Sequence, residues 1–160
     1  MKTTFFSVRS LMIGISIACS GMLFTGCKDD EAPVNNNPYA ISGNSNGTQV
    51  VPSVTDTATG TISGNYAPAT RLLTYTSTWK GLSGVPVSGG FYTGASGVNG
   101  TLNGTSWSFD STATATGSRS DTVTLTADQA TQLLNGNWYY TYTTSTNPAG
   151  EIRGQITAVR

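Results

Sequence analysis

The sequence predicts an all-β fold, a single antiparallel β-sandwich of immunoglobulin-like or Greek-key type with one short helix. Three observations carry that expectation. Two runs alternate with the period of two that places successive side chains on opposite sheet faces: Leu73, Tyr75 and Trp79 against Leu72, Thr74, Thr76 and Thr78, and Trp138, Tyr140 and Tyr142 against Tyr139, Thr141 and Thr143. The chain holds 27 threonines and 19 glycines in 160 residues, a composition that favours strands and turns over helices. Only one segment carries the end signals of a helix. Seven to nine strands are expected.

The first 26 residues read as an address rather than as part of the fold. Lys2 and Arg9 form a positive start, and Leu11 to Phe24 is an apolar stretch of 14 positions. That is shorter than the roughly 20 residues a spanning helix needs, so a signal peptide fits better. It ends in Leu23-Phe24-Thr25-Gly26-Cys27, small residues directly before a cysteine, which resembles the lipobox of bacterial lipoproteins. On that reading Cys27 is lipidated and becomes the first residue, and the protein is held on the outer membrane by its acyl chains. A general secretory signal with an incidental cysteine is the alternative. With Cys19 cleaved away, Cys27 has no disulfide partner. Lys28-Asp29-Asp30-Glu31 follows, and is either a signal for export to the cell surface or a solvated charged tether. Residues 27–37 thus form a lipidated N-terminus and flexible linker, with Pro33 and three successive asparagines.

Residues 38–160 are enough for one domain with one core. Gln49 to Val54 is expected as a short edge strand, because Pro52 cannot donate to a ladder. Thr57 to Tyr66 and Arg71 to Lys80 form an antiparallel hairpin turning through Pro68. Val85 to Thr93 is a strand interrupted at Gly89-Gly90. Thr105 to Phe109 alternates behind the turn dipeptide Asn103-Gly104, with Trp107 and Phe109 on one face. Ser111 to Ser120 is an exposed loop or weak edge, and Asp121 to Leu125 turns Val123 and Leu125 inward. Thr126 and Gln129 have the spacing of a capping box, Ala130, Leu133 and Leu134 supply an apolar face, and Gly136 stops the helix. The closing hairpin runs from Asn137 to Ile156 through the type I turn Asn147-Pro148-Ala149-Gly150.

Three stretches together resemble the CHRD domain, a module named after chordin and also found in bacterial secreted proteins. They are Thr61 to Gly84, which ends in Thr78-Trp79-Lys80-Gly81-Leu82-Ser83-Gly84; Leu125 to Tyr139; and Pro148-Ala149-Gly150-Glu151-Ile152-Arg153-Gly154-Gln155-Ile156. The last is the most specific, and the resemblance covers residues 40 to 158. The family usually carries a His-x-His pair in its middle and a third histidine in the closing hairpin. Phe91, Thr93 and Thr143 stand at those places in a chain without histidine. If the family site binds metal, this member has lost it, since neither imidazole nor a free thiol remains in the domain.

The composition narrows function further. From Cys27 onward six basic residues face eight acidic ones, a net charge of −2 with no basic stripe for nucleic acid. Without His or a catalytic Cys, general-base chemistry falls to Asp56, Asp110, Asp121, Asp128, Glu151, lysine or tyrosine, and nothing pairs them for hydrolysis. Glu151 and Arg153 project from one face, fit for a salt bridge or for an arginine stacked on Tyr140 or Tyr142. Tyr139, Tyr140 and Tyr142 are candidate ligand-facing aromatics, with Tyr139 or Tyr140 pointing outward because they are adjacent. The expected function is therefore a non-enzymatic, membrane-anchored binding or structural module without cofactors, meeting a protein or glycan partner at the cell envelope. A carbohydrate binder using exposed aromatics, or a hydrolase using acids not singled out, are the alternatives. Thr57, Ser111 and Thr122 follow aspartates in a pattern resembling bacterial O-glycosylation sites.

Overall fold

The computed structural model describes residues 36–160. The signal peptide, Cys27 and the Lys28 to Glu31 tetrad lie outside the described residues. Ten strands and one helix follow in order: β1 (Tyr39–Asn46), β2 (Thr59–Ala67), β3 (Leu72–Lys80), β4 (Pro86–Thr93), β5 (Thr101–Leu102), β6 (Trp107–Ser108), β7 (Gly117–Thr124), α1 (Ala127–Leu134), β8 (Trp138–Thr144), β9 (Ile152–Gln155) and β10 (Thr157–Val159). All pairings are antiparallel, in the order β5-β4-β8-β9-β1-β2-β3-β7, with β10 on β1 and β6 on β4.

One continuous sheet therefore makes the whole domain, and it curls so that its two halves face each other. Tyr75 of β3 meets Phe91 of β4 at 4.8 Å between ring centroids, and Trp79 of β3 meets Tyr142 of β8 at 5.1 Å. Those strands are far apart in the ladder, so only a sheet folded onto itself brings them together. The core between the halves is aromatic: Tyr66, Tyr75, Trp79, Phe91, Trp107, Trp138, Tyr140 and Tyr142 are all buried. The all-β, sandwich-like architecture is the expected one. The count exceeds nine because β5, β6 and β10 are fragments of two or three residues.

The β2–β3 hairpin pairs Thr59 with Lys80 through Ala67 with Leu72, close to its expected bounds. Helix α1 has the full capping box: Thr126 Oγ1 accepts from Gln129 N, and Gln129 Oε1 accepts from Thr126 N at 2.8 Å. Gly136 follows it with φ +71°, the left-handed position that ends helices. No helix of the described residues is long and apolar enough to cross a membrane.

Ser111 to Ser120 is loop to Thr116 and then the exposed edge strand β7 along β3, in line with its expectation as loop or edge. Three other local expectations need correction. Gln49 to Val54 is not a strand: Asn46 Oδ1 caps a 3-10 turn over Gly47–Gln49, and the chain then bends. Strand β4 runs through Gly89-Gly90 without interruption, its irregularity falling between Pro86 and Ser88. Val123 is 38% exposed, because β7 is the last strand of the sheet and its side chains there meet solvent.

Candidate functional site

Position in the sheet decides what each side chain can do. Strand β8 lies between β4 and β9 and is buried on both faces. Trp138, Tyr140, Tyr142 and Thr144 point into the core. The Tyr142 hydroxyl donates to Ser77 Oγ at 2.7 Å, and burial pushes its phenol above the ordinary value. The Tyr140 hydroxyl reaches the Gly43 carbonyl at 3.2 Å. On the other face Tyr139 is covered too: its ring stacks on Tyr92 at 5.3 Å, and its hydroxyl accepts from Gly100 N. Tyr140 and Tyr142 are closed inside the core, and Tyr139, though buried, lines a pocket of about 270 Å³ with Tyr92 and Arg153. Adjacency does send Tyr139 and Tyr140 to opposite faces, but residues 94–100 fold over the outer one.

The signature residues do the fastening. Glu151 is fully buried, and its carboxylate accepts from Ser83 N at 2.5 Å, from Ser83 Oγ at 2.6 Å and from Thr144 Oγ1. Burial opposes its charge, but these hydrogen bonds outweigh that and hold the carboxyl below the usual range. Arg153 does not pair with it. The guanidinium lies 3.6 Å from the Tyr139 ring centroid and donates to the carbonyls of Ala95 and Val98 at 2.9 Å each. The arginine–aromatic stack is therefore real, on Tyr139 rather than Tyr140 or Tyr142. Gln155 Nε2 donates to the carbonyls of Gly94 and Gly136 at 2.9 and 2.7 Å. A Cβ on Gly154 would stand 2.7 Å from both the Asn44 carbonyl oxygen and the Tyr140 ring, so a side chain there pushes β9 off β1. Ile152 is fully buried, and Gly150 N closes the turn onto the Asn147 carbonyl. Together Gly150 to Gln155 clasp loop 81–84 on one side and loop 94–100 on the other.

The places of the family histidines do not converge. Phe91 is in the core, and Thr93 shares its side of β4. Thr143 lies on the opposite face of the sheet, hydrogen-bonded to Ser88. Among the described residues no group of three His, Cys, Asp or Glu comes together. Melting curves are expected to coincide with EDTA and with added Zn²⁺ or Cu²⁺. A metal at 100 times its Kd stabilises by about 2.7 kcal/mol, a rise of several degrees that melting would reveal. The O-glycosylation candidates Thr57, Ser111 and Thr122 are exposed. Two of the preceding aspartates are held in local turns: Asp56 Oδ1 accepts from Ala58 N, and Asp110 Oδ1 from Thr112 N.

The feature the sequence did not indicate is a cleft of about 410 Å³ at the mouth of the curled sheet, between segment 103–108 and β7. Tyr75, Phe91, Trp107 and Trp138 wall it, and Asn103, Arg119, Asp121 and Gln129 supply polar groups. Arg119 and Asp121 form an ion pair of 2.6 Å, and the backbone N–H of Thr122 and the guanidinium together hold Asp121 below the ordinary carboxylate range. Five buried side-chain N or O atoms among the described residues lack a protein partner, and three belong to residues of this one cleft: Asn103 Nδ2, Arg119 Nε and Trp138 Nε1. All three are N–H donors. All three atoms are closed off from solvent, so what the cleft itself presents is its aromatic walls and the Arg119–Asp121 pair.

Neither the curated proteins nor the solved structures give a match to this chain. The family model for the CHRD domain matches residues 41–156, from the first strand through the last residue of the signature. That span holds both the clasp and the cleft, and the chain belongs to the CHRD domain family.

Proposed function

We propose that this protein is a lipoprotein of the outer membrane, anchored through acylated Cys27 and facing the cell surface, whose CHRD domain is a non-enzymatic binding module with the cleft as its binding site. The observation that carries the binding reading is the aromatic-walled cleft of about 410 Å³ with the Arg119–Asp121 ion pair at its edge. The anchoring reading is supported by the lipobox ending at Cys27 and by the spacing to the domain. Strand β1 begins at Tyr39, twelve residues after Cys27. At about 3.3–3.6 Å per residue, the tether keeps the domain within roughly 40 Å of the acyl chains.

Replacing Cys27 with Ser is expected to abolish palmitate labelling and release the protein from the membrane fraction. Retained labelling overturns the anchor. Replacing Lys28 to Glu31 with alanines is expected to leave labelling intact and reduce cleavage by protease added to whole cells. Unchanged cleavage makes the tetrad a tether and not an export signal.

A further inference from the structure

We infer that β7 is a self-association edge: two copies of this chain join their sheets by antiparallel pairing of β7 with β7, about a two-fold axis at Ser120. This goes beyond the reading of the cleft, and its test needs no ligand.

Among the described residues β7 is paired on one side only, with β3, while the outer edge of β4 at the other end of the sheet is taken by β5 and β6. Leu125 N donates to the Arg71 carbonyl at 2.8 Å, one step beyond the Leu72–Thr124 pair. Hydrogen-bonded pairs alternate along an antiparallel ladder, so the odd-numbered residues of β7 turn their backbone groups to β3. Ser118, Ser120, Thr122 and Thr124 turn theirs to the free edge, and all four are exposed. The Thr122 N–H fits that phase, being held by Asp121 Oδ1 at 2.8 Å and not by β3. Such an open edge is a template for another strand.

The side chains select a second copy as the occupant. Backbone phase requires outward residues to meet outward residues, so the two-fold registers at the middle of β7 are centred on Arg119, Ser120 or Asp121. The first sets Arg119 against Arg119 and the third sets Asp121 against Asp121, both repulsive. Centring on Ser120 sets Arg119 of each copy against Asp121 of the other. That is a non-hydrogen-bonded pair, with Cα atoms about 4.5 Å apart and side chains at their closest. The ion pair within one strand is exchanged for two across the axis, and Asp121 frees the Thr122 N–H for the Ser118 carbonyl of the other copy. The same register brings Val123, 38% exposed, opposite Gly117, where a Cβ would stand 2.6 Å from the Trp79 ring. On the outer face it sets Ser118 beside Thr122, extending the hydroxyl pairs Thr76–Ser120 and Thr74–Thr122 that the sheet already makes. The contact is an edge and not a face, so the dimer is small and reversible.

The test follows the oligomeric state of the full-length protein by sedimentation in density-matched detergent. A concentration-dependent equilibrium between monomer and dimer is expected. Arg119→Asp and Asp121→Arg each set like charges across the axis, and each is expected to weaken the dimer about tenfold or more while melting stays close to the parent's. Mixed together, the two variants again set opposite charges against each other, and a heterodimer as tight as the parent dimer is expected. Ser120→Cys is expected to give more disulfide-linked dimer than the parent on mild oxidation, because Cα atoms of a hydrogen-bonded pair stand about 5.5 Å apart. Ser118→Cys is not, since its counterpart lies about 13 Å along the paired strand. A parent that stays monomeric overturns the inference. So does a dimer indifferent to both charge variants, a mixture that fails to associate, or crosslinking as ready at position 118 as at 120. Each of these outcomes leaves the cleft reading standing.

Discussion

Replacing Glu151 with Ala is expected to lower stability by about 3 kcal/mol, which for a domain of this size is on the order of 10 °C in melting temperature. The carboxylate lies fully buried and takes the Ser83 N–H together with the hydroxyls of Ser83 and Thr144. Truncation strands a backbone donor and two hydroxyls without water to replace the lost acceptor. Glu151→Gln is the milder variant, because it keeps one oxygen of the right shape. It also isolates the charge. The folded carboxyl titrates below its ordinary value of 4.5, so on acidification the unfolded chain binds the proton first. Its stabilisation is complete above that ordinary value and is lost as pH falls through the lower folded value. Denaturant unfolding between pH 7 and pH 3 is expected to show a downward slope below about pH 4.5 that is shallower in Glu151→Gln. An equal slope in both proteins removes Glu151 as its source.

Arg153→Ala is expected to cost about 2–3 kcal/mol, through loss of the stack on Tyr139 and of two charged hydrogen bonds. The effect is smaller than at Glu151 because the freed carbonyls of Ala95 and Val98 belong to an exposed loop and can rehydrate. Arg153→Lys is expected to recover less than half of the loss, since an ammonium cannot lie flat on the ring and fork to two carbonyls at once. The loop should respond before the core does: limited proteolysis is expected to cut Arg153→Ala within residues 94–100 under conditions where the parent stays intact. Equal resistance there removes Arg153 as the loop's fastening.

Much of this architecture was legible because some residues state their roles locally. Leu73, Tyr75 and Trp79 declare a strand by alternation alone, and Thr126 with Gln129 declares a helix start by spacing alone. Strand β1 was hidden for a physical reason. Its inward positions beyond Ile41 are Gly43 and Ser45, small because a Cβ at Gly43 would stand 2.4 Å from the Gln155 carbonyl oxygen. Close strand approach erased the hydrophobic signal that would have revealed the strand. The aromatic run of β8 misled in the opposite way. Period two correctly separated Tyr139 from Tyr140, yet alternation reports only which face a side chain takes, and both faces of β8 are covered by distant segments. The signature was recognisable as a motif, but its division of labour was not: Glu151 and Arg153 lie two residues apart and fasten two different loops. Asn103 reads as half of a turn dipeptide, and only the structure shows its hydrogen bond from Gln129. That link joins residues 26 apart and leaves no trace in local spacing.

The family signature is a structural clasp closed inside the fold, holding loop 81–84 through Glu151 and loop 94–100 through Arg153. Native-state hydrogen exchange at the Ser83 amide tests it most directly. Ser83 lies outside any strand, and its N–H is held by the Glu151 carboxylate. The clasp predicts that this loop amide exchanges as slowly as those in the centres of β2 and β3, through openings near the global unfolding free energy. It also predicts that this protection collapses in Glu151→Ala at pH 7 while the β2–β3 amides stay slow relative to Ser83. A Ser83 amide that exchanges as fast in the parent as that of its neighbour Gly84 would contradict the clasp.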